Sequence, residues 1–534
     1  MADSYIHFTY ARNLANHQEY TYNLGSSEGI GSTSFLWVLI LAMCQAIGIP
    51  PETSAVALGI GLLAFTGILV YDITVRLNHD MPQRKQLFIS VTAAMLTVIP
   101  GSMVWLALSG METILFLFLS LLSLRLYALK RWVLLGLVLG LLAITRTEGL
   151  ILAVAIALVE GYNQRRIPKE LVWSAIPALI FLVPWMLYLL SREGIFATAS
   201  YQGRMVMIVE TNARIASQLP ALKWLITVNP LVYLFSWSVL LLLYISGAAG
   251  MPGPLLDLNQ SLLGTKMAFS VLGGLVGLVV CLPLLILAVR RIWQLRHNLS
   301  LEKPAHRLLA VVLSWTMLHN LAYGLFISHT GAAGRYAPMN HVLFWIALVI
   351  GAWSISNKAL RTITTAFVAV LLFVSLVYWQ RVYAANIEYS QRVRIAAAEY
   401  IDTQIPPQAL VGATDLGPIR YFARQPIVDL IGHVNKDIGP FLEAGGDFAD
   451  YLHQKGICYL MLYGAVGEAG LDFADEMKLT DDDRFDLITE ARFEIPIDIW
   501  RLGSEPLRDY MPAMDVYRVD WHAPGVCDST SGQD

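Results

Sequence analysis

The chain has 534 residues, of which 56% are hydrophobic and only 14% charged. An ordinary soluble domain is about a quarter charged, so a wholly soluble protein is excluded and most of this chain belongs in lipid. The net charge of −3 offers nothing to nucleic acid, and no basic cluster is large enough to suggest it.

In chain order, the first stretch is polar and aromatic. It has neither the basic nor the apolar region of a signal peptide, and it is not a membrane span. Residues 34–49 are apolar but short and run into Pro50-Pro51, which suits a re-entrant or interfacial helix. A spanning helix needs about 20 apolar residues. On that scale spans fall near 54–77, 87–108, 111–129, 132–146, 147–162, 171–190, 266–289, 307–328, 337–354 and 362–383. Residues 231–247 are long enough to cross but would upset the parity of the count.

Basic loops set the orientation. Arg76, Arg84 and Lys85 mark one cytoplasmic loop, and Lys130 and Arg131 a second. Arg165, Arg166 and Lys169 mark a third, the group from Arg290 to Arg307 a fourth, and Lys358 and Arg361 a fifth. With 231–247 not crossing, residues 1–53, the 191–265 region, the 329–336 loop and everything after 384 face outward. From about Ala385 the charge rises and short alternating segments appear. Residues 409–415, 425–430, 457–463, 491–497 and 514–521 read as strands, and 392–404 and 447–456 as helices. The order argues for a compact α/β domain. The expected architecture is therefore a polytopic α-helical membrane protein in three parts. These are an outward first loop (1–53), a bundle of about ten spans (54–384) and a soluble extracytoplasmic α/β domain (385–534). Cys458 and Cys527 both fall in that domain, and the sequence does not decide whether they pair.

The candidate chemistry lies in the outward loops. Asp3 and His7 are four apart and share a helix face, with Arg12 five residues further on. Asp3 reads either as a helix N-cap or as a general base at the membrane surface. Glu112, Arg146, Glu148, Arg204, His329 and Arg335 sit near predicted outer helix ends. Each alone reads as a snorkelling or paired helix-end charge, and Arg146 with Glu148 could neutralise one another across a short turn. Taken together, outward arginines suit a phosphate, whose oxygens match the guanidinium fork. Asp415 follows a strand, where α/β sheets often place ligands, although a structural turn is the blander reading. The spacing TDLGPIRYF is not a dinucleotide fingerprint.

The segment DSYIHFTYARNLANHQEYTYNLGSSEGIGSTSFLW (3–37) resembles the first extracytoplasmic loop of GT-C-fold membrane glycosyltransferases, in particular bacterial relatives of the mycobacterial terminal arabinofuranosyltransferases. SGMET (109–113), TRTEG (145–149), GRYAP (334–338) and the TDLGPIRYF…VDLIG stretch resemble further motifs of that family, in the same order. The resemblance implies a GT-C-like bundle and inverting transfer from a polyprenyl-phosphate sugar to an outward glycan or glycolipid acceptor. It makes Asp3 the base and Arg204, Arg335 and His329 the donor-phosphate residues, and it gives the C-terminal domain, with Asp415, to the acceptor. Some members use a divalent cation and others none, so the metal stays open. The family usually shows two acids at the loop start where this chain has Ala2-Asp3, and an arginine where it has Thr9. It also places a membrane helix before the loop, and the span count leaves room for one ahead of Met1. Two rival readings are a lipid-linked-sugar flippase and a non-catalytic, truncated paralogue acting as a scaffold or sensor.

Overall fold

The structure is a computed structural model that describes residues 2–26, 28–166, 168–196, 198, 271–295, 300–326, 334–467, 469–504, 511–523 and 526–527. Arg204, His329 and the 231–247 segment lie outside the described residues.

The polar start folds as helix α1 (Ala2–His17), followed by the short apolar α2 (Phe35–Ala46). α3 (Pro51–Leu77) opens with proline in its first turn, where the missing N–H costs nothing. α4 (Gln83–Val98) and α5 (Gly101–Leu108) meet at a 53° bend. The bend falls at Pro100, whose ring and absent N–H interrupt helical bonding. Then come α6 (Thr113–Ala128), α7 (Trp132–Thr145), α8 (Leu150–Gln164) and α9 (Lys169–Glu193). After the gap follow α10 (Val271–Leu295), α11 (Pro304–Phe326), α12 (Met339–Trp353) and α13 (Lys358–Tyr389).

Among the described residues, α3, α9, α11 and α13 are long and apolar enough to cross a membrane, and the bent α4–α5 pair is so when taken together as one broken span. The chain is an integral membrane protein. Several of the expected spans correspond to shorter apolar helices among the described residues. α6, α7 and α12 have 16, 14 and 15 residues. At 1.5 Å per residue that is about 21–24 Å, short of the ~30 Å hydrocarbon core. Each is cut short at a polar loop: 109–112 before α6, 146–149 after α7 and 334–338 before α12.

Large apolar side chains such as Phe65, Ile68, Trp173, Ile180 and Phe373 face outward, as lipid-solvated surfaces require. Where helices cross, small residues let backbones touch. A Cβ at Gly136 would collide with the Ser174 backbone, and one at Gly59 with the Ala107 backbone. At the end of the bundle opposite the polar loops, Asp72 pairs with Arg76 at 2.8 Å and with Arg125 at 3.2 Å.

α13 does not stop at the compositional change near 385. It continues through a π-turn (Ser390–Ile395) into α14 (Ala396–Gln404), so the C-terminal domain is carried on the end of a membrane helix. Its sheet contains β1 (Val411–Ala413), β2 (Ile427–Asp429), β3 (Tyr459–Gly464), β4 (Phe485–Glu494) and β5 (Ala513–Trp521) in the order β2-β1-β3-β5-β4. β1 runs parallel to β2 and β3, whereas β5 is antiparallel to β3 and β4. The strand expected at 491–497 starts earlier, at Phe485, and ends at Glu494, ahead of Pro496, which cannot donate to a ladder. The helix expected at 447–456 is Phe448–Lys455, capped by the Asp447 carboxylate accepting from Asp450 N at 2.7 Å. Cys458 and Cys527 form a disulfide.

Both faces of the sheet are covered. Val411, Met461, Met514 and Val516 join the core that runs on into the bundle and α1. Leu460, Leu462 and Val519 pack with Ile438 and Leu452 on the far side. The first loop is stitched to this domain by the polar residues of its motif. Asn23 Nδ2 donates to Ile427 O at 2.7 Å, and Tyr22 Oη donates to Leu416 O at 2.6 Å. Gly29 N donates to Val434 O at 3.0 Å.

Candidate active site where the polar loops meet the first helix

The three loops that truncate α6, α7 and α12 meet the start of α1. Asp3 lies in the first turn of α1, where the helix dipole favours a carboxylate. It is not a cap, because the helix already begins at Ala2. Asp3 Oδ2 stands 2.5 Å from Arg335 Nη2, a contact across 332 positions of sequence. One turn later, His7 Nε2 lies 3.3 Å from Glu112 Oε2 and His7 Nδ1 2.8 Å from Ser32 Oγ. The i, i+4 spacing thus aims both side chains at the same cluster.

Behind them Arg146 is fully engaged. Its Nη1 donates to Glu112 Oε1 at 2.7 Å, its Nε to Glu148 Oε1 at 2.6 Å and its Nη2 to Tyr323 Oη at 2.9 Å. Tyr323 Oη also donates to Glu148. The Tyr336 ring lies between the two arginines, 4.9 Å from the Arg146 guanidinium carbon and 5.3 Å from that of Arg335. The turn carrying Glu112 is fixed by Gly110, whose φ of +78° suits glycine and whose carbonyl accepts from Trp37 Nε1 at 3.0 Å.

Electrostatics separate these groups into two kinds. Burial works against the charge of Glu112, but the bond from His7 and the Arg146 guanidinium outweigh it and hold the carboxyl well below its ordinary range. Glu148 is likewise held low against burial, chiefly by Arg146. Arg335 keeps its charge against burial because Asp3 and Glu112 face it. Glu112 is wholly buried and Arg335 is 7% exposed, yet the Asp3 side chain is 42% exposed among the described residues. Of the three carboxylates in the cluster, Asp3 is the most accessible. Glu112 and Glu148 instead both accept from Arg146.

The sequence candidates therefore divide. Asp3, His7, Glu112, Arg146, Glu148 and Arg335 converge. Arg12 turns to the C-terminal domain, where its Nη1 donates to Tyr421 O at 2.6 Å and its Nη2 to Arg420 O at 3.0 Å. Asp415 is 2.5 Å from Arg394 Nε, accepts from Tyr463 Oη at 2.7 Å and from Gly417 N at 2.9 Å, and lies in the domain interior. Tyr323, Tyr336 and Ser32 belong to the cluster without having been singled out. Tyr336 and Ser32 stand inside the quoted motifs and could have been found there, but Tyr323 sits within an apolar helix and carries no such signal. Among the described residues no three His, Cys, Asp or Glu side chains come together as a metal-binding group.

The family model described as "Domain of unknown function (DUF8728)" matches residues 385–516. No curated protein matches the chain. Among solved structures, ArnT from Cupriavidus metallidurans in the apo state is similar over 100% of this chain and 94% of its own, with 12% identity and a TM-score of 0.48. The same protein bound to undecaprenyl phosphate is similar over 100% and 95%, with 11% identity and a TM-score of 0.40.

Proposed function

We propose that the chain is a membrane glycosyltransferase that moves a sugar from a polyprenyl-phosphate donor to an extracytoplasmic glycan or glycolipid acceptor, with inversion at the anomeric carbon. The observation that carries this reading is the Asp3–Arg335 pair. An accessible carboxylate and a buried guanidinium meet at the membrane edge of an apolar bundle, 2.5 Å apart. Catalysis needs a base for the acceptor and a cation for the leaving phosphate, and these two groups supply both.

In the transfer step the acceptor oxygen attacks the anomeric carbon while its proton passes to the Asp3 carboxylate. The bond from that carbon to the phosphate oxygen breaks, and its electron pair leaves with the phosphate. The leaving group is a stable anion, so it needs charge compensation and no protonation. Arg335 provides it, with Arg204 and His329 as further phosphate residues. The pairing also gives an order to the steps. A donor phosphate that takes over Arg335 releases the Asp3 carboxylate from that contact only when the donor is in place.

His7, Glu112, Arg146 and Glu148 are positioning residues that hold the loops around the pair. The disulfide in the C-terminal domain supports an outward orientation, because such bonds persist in oxidising compartments. The test is transfer from a polyprenyl-phosphate sugar by the full chain in lipid. Asp3→Asn keeps the shape and removes the base, so the rate should fall by about 10²–10⁴-fold while the chain stays folded. Transfer at the wild-type rate by that variant would refute the assignment.

A further inference from the structure

A second charged region lies where α1 meets the C-terminal domain. A cavity of about 370 Å³ opens there, lined by Arg12, His17, Asp402, Arg420, Tyr421 and Arg424 among others. The one carboxylate in this lining, Asp402, is engaged by Arg424 at 2.9 Å. Arg12 and Arg420 have no ion-pair partner among the described residues. Arg12 donates to the carbonyls of Tyr421 and Arg420, and Arg420 Nη1 to that of Ala423 at 3.0 Å. Arg420 is buried, and its Nε has no hydrogen-bond partner among the described residues. Arg12 also lies over the Tyr421 ring at 4.6 Å.

This is the reverse of the Arg146 arrangement, where every charge is met. Two largely buried guanidiniums side by side, neither ion-paired among the described residues, are costly unless an anion completes them. Burial lowers the proton affinity of both, and Arg12 lowers that of Arg420 further, while the more distant Glu52 and Glu28 carboxylates act the other way without pairing with either. Carbonyl dipoles fix their orientation and leave further N–H groups for a ligand, since each guanidinium has five donors.

We infer that this cavity is a binding site for an oxyanion, a carboxylate or a phosphate, carried by a saccharide. On the transfer reading above, that saccharide is the acceptor, which would make the acceptor an acidic glycan. Arg12 is nine residues from Asp3 on the same helix, about 13 Å along its axis. An acceptor anchored here can therefore extend along α1 towards the base.

The test uses the full chain in detergent, with glucuronate and inorganic phosphate as separate probes in calorimetric titrations. The expected result is saturable binding of at least one probe by the wild type and equally by Arg335→Gln and Asp3→Asn, which leave this cavity intact. Binding should weaken tenfold or more in Arg12→Gln. Because Arg12 also ties α1 to the domain, His17→Glu at the exposed rim serves as a second variant. It keeps both arginine contacts and adds an opposing charge, and it too should weaken binding. Preference for glucuronate points to an acidic sugar, and preference for phosphate to a phosphorylated one. No saturable binding of either probe overturns the inference, as does binding that survives both Arg12→Gln and His17→Glu. Loss in Arg335→Gln with retention in Arg12→Gln overturns it as well, by placing the anion at the membrane-edge site. If the probe binds as expected but Asp3→Asn transfers normally, the oxyanion site stands and the transfer reading falls.

Discussion

Arg146 in the bundle and Arg394 in the C-terminal domain are both buried, and each is met by carboxylate and tyrosine. Arg394 closes on Asp415 at 2.5 Å and donates to Tyr463 Oη at 2.7 Å, with the Tyr389 ring 5.0 Å away. Nothing in that cluster is accessible, and it clamps the π-turn below α13 to the end of β1. The Arg146 cluster has the same chemistry but borders a second pair, Asp3–Arg335, whose carboxylate is open. Burying charge is thus an architectural device in both places. What separates a candidate catalytic centre from a clamp is the one member left within reach of a substrate.

That contrast can be broken most severely at the clamp. Arg394→Met leaves Asp415 buried without its partner and should destabilise the chain by about 3–5 kcal/mol, read as a lower melting temperature. If the clamp is only structural, Arg394→Met with Asp415→Leu should recover much of that loss, while Asp3→Asn, whose carboxylate is partly exposed, should lower the melting temperature less than Arg394→Met. A smaller effect tests the closed part of the membrane-edge cluster by pH. The Glu112 carboxyl is held below its ordinary range when folded and returns to about 4.3 when unfolded. A folded pKa below the unfolded one adds stability that is present above the unfolded value and lost as the pH falls beneath it. Melting temperature should therefore fall progressively from about pH 5 downward, continuing well below pH 3, and Glu112→Gln should flatten that drop while lowering stability at neutral pH.

Gly31 sharpens the comparison at the seam between first loop and domain. A Cβ there would stand 2.6 Å from Val434 Cγ2, so Gly31→Val should cost about 1–3 kcal/mol through overpacking. Limited proteolysis would show the first loop loosening before the bundle. The smallest effect belongs to the exposed pair at the cavity rim. Arg424 is 71% exposed, so Arg424→Ala should change stability by less than about 1 kcal/mol despite a bond of 2.9 Å to Asp402. A larger loss would mean that this rim pair holds the domain in place.

Apolar runs alone placed the membrane helices in the described part of the chain, and turn and alternation signals placed most of the C-terminal strands, because hydrophobic period is a local property. The ordered polar motifs likewise marked the loops from which the cluster is built. Local pattern could not tell how long each helix had to be. α6, α7 and α12 are apolar but short, each ending at a loop that meets α1. Nor could it separate arginines by role. Arg12, Arg146 and Arg335 all look alike as outward basic residues. Only the fold gives Arg146 two carboxylates, gives Arg335 an open one and leaves Arg12 beside Arg420 with none. Charge is written in the sequence, but counter-charge and solvent access depend on contacts between residues hundreds of positions apart, and those exist only once the chain is packed.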